Sequence, residues 1–176
     1  MQTYTQQTKS SCGLDALVFA SGKPVADVMK AWGISDIQKF GNLQDSPWSH
    51  FVAMEKLKVK FQLIGSSDIC NSKGFPNQTV ILIHNVPVDA EVRSIFTELS
   101  AFLHTNLEEH WIVLESVVAN TIRFHAGDGS IKQMRHDQFK RIFDAGVVRC
   151  AYVVGRGNYR LSWFQRLWAT ITGKFC

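Results

Sequence analysis

The chain lacks any run approaching the roughly 18 to 20 uninterrupted apolar residues of a membrane span, so a bilayer crossing is not expected. Its start, "MQTYTQQTKSS", lacks both the basic opening and the apolar block of a secretory signal. A cytoplasmic setting is therefore expected. Cysteine is sparse and scattered. Cys12, Cys70, Cys150 and Cys176 form no CxxC pair and no Cys/His ligand cluster, which argues against a zinc site and against a dense disulfide framework. No metal or organic cofactor is implied. The formal net charge is only +4. The charged side chains after Gly155 are Arg156, Arg160, Arg166 and Lys174, so the tail accounts for that excess and the body is close to neutral. With so few basic groups and no supporting fold motif, nucleic acid is not an expected partner.

The 176 residues, 45% apolar and 19% charged, fit one domain with a real core. Residues 1–155 read as that domain and 156–176 as a basic amphipathic tail. After Cys12, "GLDALVFASG" reads as a short buried helix ending at Gly22. "KPVADVMKAWG" reads as a second, with Val25, Val28, Met29 and Trp32 on one side. A third is expected from Pro47, capped near Ser46, running into a strand from Val59 to Ile64. "SSDICNSKGFPNQ" has the composition of a loop, and "TVILIHN" is a β-branched run suited to a buried strand. Helical spacing of Val92, Ile95, Phe96, Leu99, Phe102 and Leu103 predicts a helix from Asp89 to His104. "HWIVLESVVANTIRFHAGDG" predicts two strands joined around "ANT" and closed by a Gly-Asp-Gly turn. "HDQFKRIFDAG" reads as a helix and "VVRCAYVVG" as a last buried strand.

Chemistry enters with the position of Cys12. The first turn of a helix presents backbone N–H groups and the positive end of the macrodipole, a setting that favours a thiolate. Cysteine is also among the most often buried residues, so a plain packing role is the competing reading. An activated thiol needs a base from elsewhere in the chain and a polar group to orient that base. His110 opens the strand "HWIVLESV", where Trp111 would shield it, and Asp128 follows the next strand on the face of Phe124 and Ala126. Gln6 supplies an amide that, with the Cys12 N–H, would meet an oxyanion. His125 is the rival imidazole, on the strand face opposite Asp128. His50, His84, His104 and His136 read as ordinary structural or surface residues, and Asp128 in "GDG" has an alternative as a turn former.

These residues carry a resemblance. Gln, five residues, "CG", a short helix, "HWIVL" on a strand and a following Asp resemble the papain-like cysteine peptidases. Within them the pattern is most similar to the bacteriocin-leader (double-glycine) peptidase domains of ABC exporters. "LEEHWIVLES" with an early Gln and Cys is also similar to the Josephin-type deubiquitinases, whose spacing suits Gln7 in place of Gln6. The resemblance implies an α+β papain-like fold, with N-terminal helices packed on an antiparallel sheet. It implies Cys12 as nucleophile, His110 as general base, Asp128 as orienting group and Gln6 as oxyanion donor, acting on a peptide or protein substrate. The sequence departs from the leader peptidases at Ser11, where they usually have Asp, at Gly129, where they often have Pro, and in the helix ahead of His110.

Other outcomes of the same scaffold are an amidase or acyltransferase, and an inactive module that binds a peptide or membrane partner. In the tail, Leu161, Phe164, Trp168 and Ile171 form a helical stripe flanked by Trp163 and Leu167, with only cations among its charges. Such a helix suits a membrane surface or a partner protein through residues 158–175, the competing role being packing on its own domain.

Overall fold

A computed structural model of the chain describes residues 11–37, 47–69, 76–84, 109–157 and Trp163. Helix α1 (Cys12–Ser21) buries Leu14, Ala16, Leu17 and Ala20 and stops at Gly22, whose left-handed backbone returns its N–H to Val18 O. Helix α2 (Val25–Trp32) follows Pro24, which sits just ahead of the first turn, and ends at Gly33. Helix α3 (Pro47–Lys56) buries His50, Phe51, Ala53 and Met54. All three match the periodicity of the sequence.

The rest is mostly sheet. Strand β1 (Phe61–Leu63) is shorter than the expected 59–64 segment. The stretch read as loop holds one turn of helix, α4 (Ser66–Asp68). Then come β2 (Thr79–His84), β3 (Glu109–Val118), β4 (Thr121–His125), β5 (Ile131–Arg135), α5 (His136–Asp144) and β6 (Val148–Val154). The strands form one sheet in the order β1-β6-β2-β3-β4-β5, with every neighbouring pair antiparallel. β5 was not expected from the sequence. Its side chains are half-buried or exposed, as suits an edge strand, so no apolar alternation announces it.

Alternation along β2 and β3 divides the core into two layers. Val80, Leu82, Trp111 and Val113 pack with α1, α2 and α3, and Cys12 belongs to this layer. Ile81, Ile83, Ile112 and Leu114 pack on the other side with Phe124, Ala126 and the α5 residues Phe139 and Ile142. Each large side chain so buried contributes roughly 1.5–3 kcal/mol from the removal of apolar surface from water. The observed α+β architecture, helices on an antiparallel sheet, is the fold expected. Gln6, Gln7, Ser46, the segment 89–104 and the tail residues 158–162 and 164–176 lie outside the described residues. Among the described residues no helix is long and apolar enough to cross a membrane.

Candidate active site

Cys12 is the first residue of α1 and is 5% exposed. Ser11, at the N-cap, makes no side-chain cap hydrogen bond and instead donates its hydroxyl to Asp15 Oδ2 at 2.6 Å. Asp15 is buried and lies in the first helical turn, where the macrodipole favours its charge. A serine at the usual capping position is thus committed to a carboxylate three residues past the cysteine. The i, i+4 spacing of Ser11 and Asp15 was readable in the sequence, but their pairing beside Cys12 was not anticipated.

α1 packs against β3, the strand that carries His110 at its second position. His110 is 3% exposed, and its Nε2 lies 2.7 Å from the carbonyl oxygen of Ala126. A carbonyl only accepts, so Nε2 donates. In the neutral ring Nδ1 then carries the lone pair and is the basic nitrogen. Trp111 belongs to the same core layer as Cys12, and its ring stacks on that of His50 with centroids 3.9 Å apart.

Asp128 takes a different place from the one its spacing suggests. Continuing the Val113–His125 register would set Asp128 across from His110. β4 ends at His125, however, and Gly127 and Gly129, with φ of 89° and 82°, turn the chain through a conformation that side chains with a Cβ rarely adopt. The carboxylate is exposed, and its Oδ1 accepts hydrogen bonds from Ser130 N at 2.8 Å and Ser130 Oγ at 2.5 Å. Partial desolvation pushes this carboxyl up, but the Ser130 hydrogen bonds and Lys132 outweigh that and hold it below its ordinary value. The acceptor at His110 Nε2 is main chain, which no side-chain motif encodes.

His125 is buried on the strand face that meets α1, with Phe19 edge-on at 4.9 Å between ring centroids. Its Nε2 donates to Asn77 Oδ1 at 3.1 Å. Burial lowers its pKa below the ordinary histidine value, a shift that Glu115 opposes and Arg123 adds to. Neither Cys12 nor Cys150 is in a disulfide. Burial pushes the Cys150 thiol up to about 12, so it stays protonated and poorly nucleophilic. Among the described residues no group of three or more His, Cys, Asp or Glu side chains is placed to hold a metal ion.

The same arrangement of elements occurs in solved structures. The peptidase domain of Streptococcus ComA, a bi-functional ABC transporter, superposes with a TM-score of 0.55 at 11% identity, covering 87% of this chain and 96% of that one. A double-glycine-motif protease from an AMS/PCAT transporter, solved with its leader peptide, gives 0.54 at 12% identity, covering 89% and 91%. The fold is that of the papain-like peptidase domains. No family model and no curated protein matches the sequence. At such identity the likeness extends to the path of the chain.

Proposed function

We propose that the chain is a cysteine-dependent hydrolase of peptide or isopeptide bonds, with Cys12 as nucleophile and His110 as general base. The observation that carries this reading is the hydrogen bond from buried His110 Nε2 to Ala126 O, because it leaves Nδ1 as the basic nitrogen of the ring. The position of Cys12 at the start of a ten-residue helix supports it, since backbone N–H groups there stabilise a thiolate.

In this scheme His110 Nδ1 takes the Cys12 thiol proton, and the thiolate attacks the substrate carbonyl carbon. The oxyanion is met by backbone donors of the first helical turn and by the Gln6 amide. As the tetrahedral intermediate collapses, the carbon–nitrogen bond breaks and the imidazolium protonates the leaving amine. Water, deprotonated by the same imidazole, then attacks the thioester and releases the acid with the thiol restored. Asp128 serves the base from the turn that follows β4. The leader peptide bound in the AMS/PCAT protease structure makes double-glycine leader peptides the first substrates to try, and the resemblance to Josephin-type deubiquitinases makes ubiquitin-like chains the second.

The test is competitive alkylation of the four thiols by iodoacetamide across pH, read by mass spectrometry of peptides. Cys12 is expected to react fastest, with an apparent titration below the ordinary thiol value that moves up in His110→Ala. Cys150 is expected to be the slow control. Hydrolysis of a leader peptide should vanish in Cys12→Ala. Reaction of Cys12 no faster than Cys176, with no turnover, would replace the hydrolase by a peptide-binding module.

A further inference from the structure

We infer that the group which fixes the catalytic imidazole is the main-chain carbonyl of Ala126, and that Asp128 positions this carbonyl through Ser130 without touching the ring. The inference rests on the proposed hydrolase reading only for its consequence in catalysis; the geometry stands by itself. His110 Nε2 and Ala126 O are 2.7 Å apart, and both residues are buried. Ala126 is itself held, because its N–H donates to Ser130 O at 3.2 Å. Ser130 is held in turn by its N–H and hydroxyl, both donated to Asp128 Oδ1. Five consecutive residues, 126–130, therefore close on themselves, and the tightness of the closure depends on the reversals at Gly127 and Gly129. The carboxylate at the apex is exposed, so water screens its charge. What reaches the ring is a peptide dipole in a buried setting.

The two ways for Asp128 to act make opposite demands on its chemistry. A carboxylate in contact with an imidazolium works by charge, and replacing it with an amide lowers the imidazolium pKa by about a unit or more. A carboxylate that closes a turn works as an acceptor, and an amide oxygen also accepts in that place, more weakly than a carboxylate but in the same geometry. Ser130 is then part of the same device. Its hydroxyl adds one hydrogen bond to the closure, while its N–H and C=O persist whatever the side chain.

The experiment is ¹⁵N-detected titration of the His110 ring together with the Cys12 alkylation rate, in Asp128→Ala, Asp128→Asn and Ser130→Ala. Asp128→Ala is expected to slow alkylation about tenfold, the effect of losing hydrogen bonds that hold a buried acceptor in place. It should also weaken the signature of a proton on Nε2. Asp128→Asn is expected to recover the rate to within about twofold and to leave the His110 titration where it is in the parent chain, since its Oδ1 accepts from Ser130 in the same way. Ser130→Ala is expected to fall between, about threefold slower, and keeps the test decisive should Asp128→Ala fail to fold. An Asp128→Asn chain that falls as far as Asp128→Ala, with the His110 pKa lowered by a unit, overturns the proposal in favour of direct contact. The ring titration reads the positioning even if Cys12 proves inert. An inert thiol with the expected ring behaviour removes the hydrolase alone, and an active thiol with a charge-dependent ring removes this inference alone.

Discussion

His50 and Tyr152 stand 102 residues apart in the chain and share a buried hydrogen bond through His50 Nδ1. The ring of His50 is fully enclosed, stacked on Trp111 and met edge-on by Trp32 at 4.7 Å. A polar group so placed costs free energy when its partner is removed, because water does not replace it. Tyr152→Phe is therefore expected to destabilise the fold by about 1–3 kcal/mol, read as a lower urea midpoint with an unchanged slope. A shift no larger than that of an exposed substitution would show that the hydroxyl carries no weight. His125 makes a second prediction, through its lowered pKa. The unfolded chain takes up a proton near the ordinary histidine value of 6.5, the folded chain only at lower pH. Between the two the unfolded state binds more protons, so stability present above that value is lost as pH falls through the window. Melting temperatures from pH 8 to pH 5 should fall less steeply in His125→Gln than in the parent; parallel curves would remove His125 from the acid sensitivity.

Among the elements, the β3–β4 hairpin carries a non-glycine residue of positive φ in its turn. The pairing of Val118 with Thr121 leaves Ala119 and Asn120 as its two turn residues, and Ala119 has φ of 50°. Two-residue hairpin turns want positive φ, which glycine adopts without a clash at Cβ. Relief of a steric cost of about 1–2 kcal/mol, less the greater freedom of glycine in the unfolded chain, predicts that Ala119→Gly stabilises by about 0.5–1 kcal/mol in thermal or urea unfolding. A lower midpoint would contradict the turn geometry. Strong periodicity made α1, α2, α3 and β2 legible in the sequence, since each buries a continuous stripe or face. β5 was not legible, because an edge strand held by main-chain hydrogen bonds to β4 needs no apolar face of its own.

At the scale of the whole molecule, β6 is the last strand among the described residues and lies between β1 and β2. Gly157 still rests on β1, where a Cβ would come within 2.7 Å of Gln62 Cβ. Removal of residues 158–176 is thus expected to leave the melting transition within a few degrees. The same deletion takes away the cations Arg160, Arg166 and Lys174 and the apolar side chains of Leu161, Phe164, Trp168 and Ile171. Association with anionic liposomes, followed by co-sedimentation at low salt, is expected to be lost with it. Equal sedimentation of both chains, or a large fall in melting temperature of the shortened one, would instead make the tail part of the domain.

The sequence by itself determined which segments carry helical and which carry strand periodicity, which faces are apolar, and that a cysteine opens the first helix while a histidine lies near the start of a strand. Those features follow from repeats of 3.6 and 2 residues and from residue type, which are local properties of the chain. Only the tertiary structure decided which oxygen meets His110, where the Asp128 carboxylate turns and that His50 finds Tyr152. A hydrogen bond exists or fails within a few tenths of an ångström, and such distances are set by strand register, by glycine reversals and by packing between residues far apart in the chain.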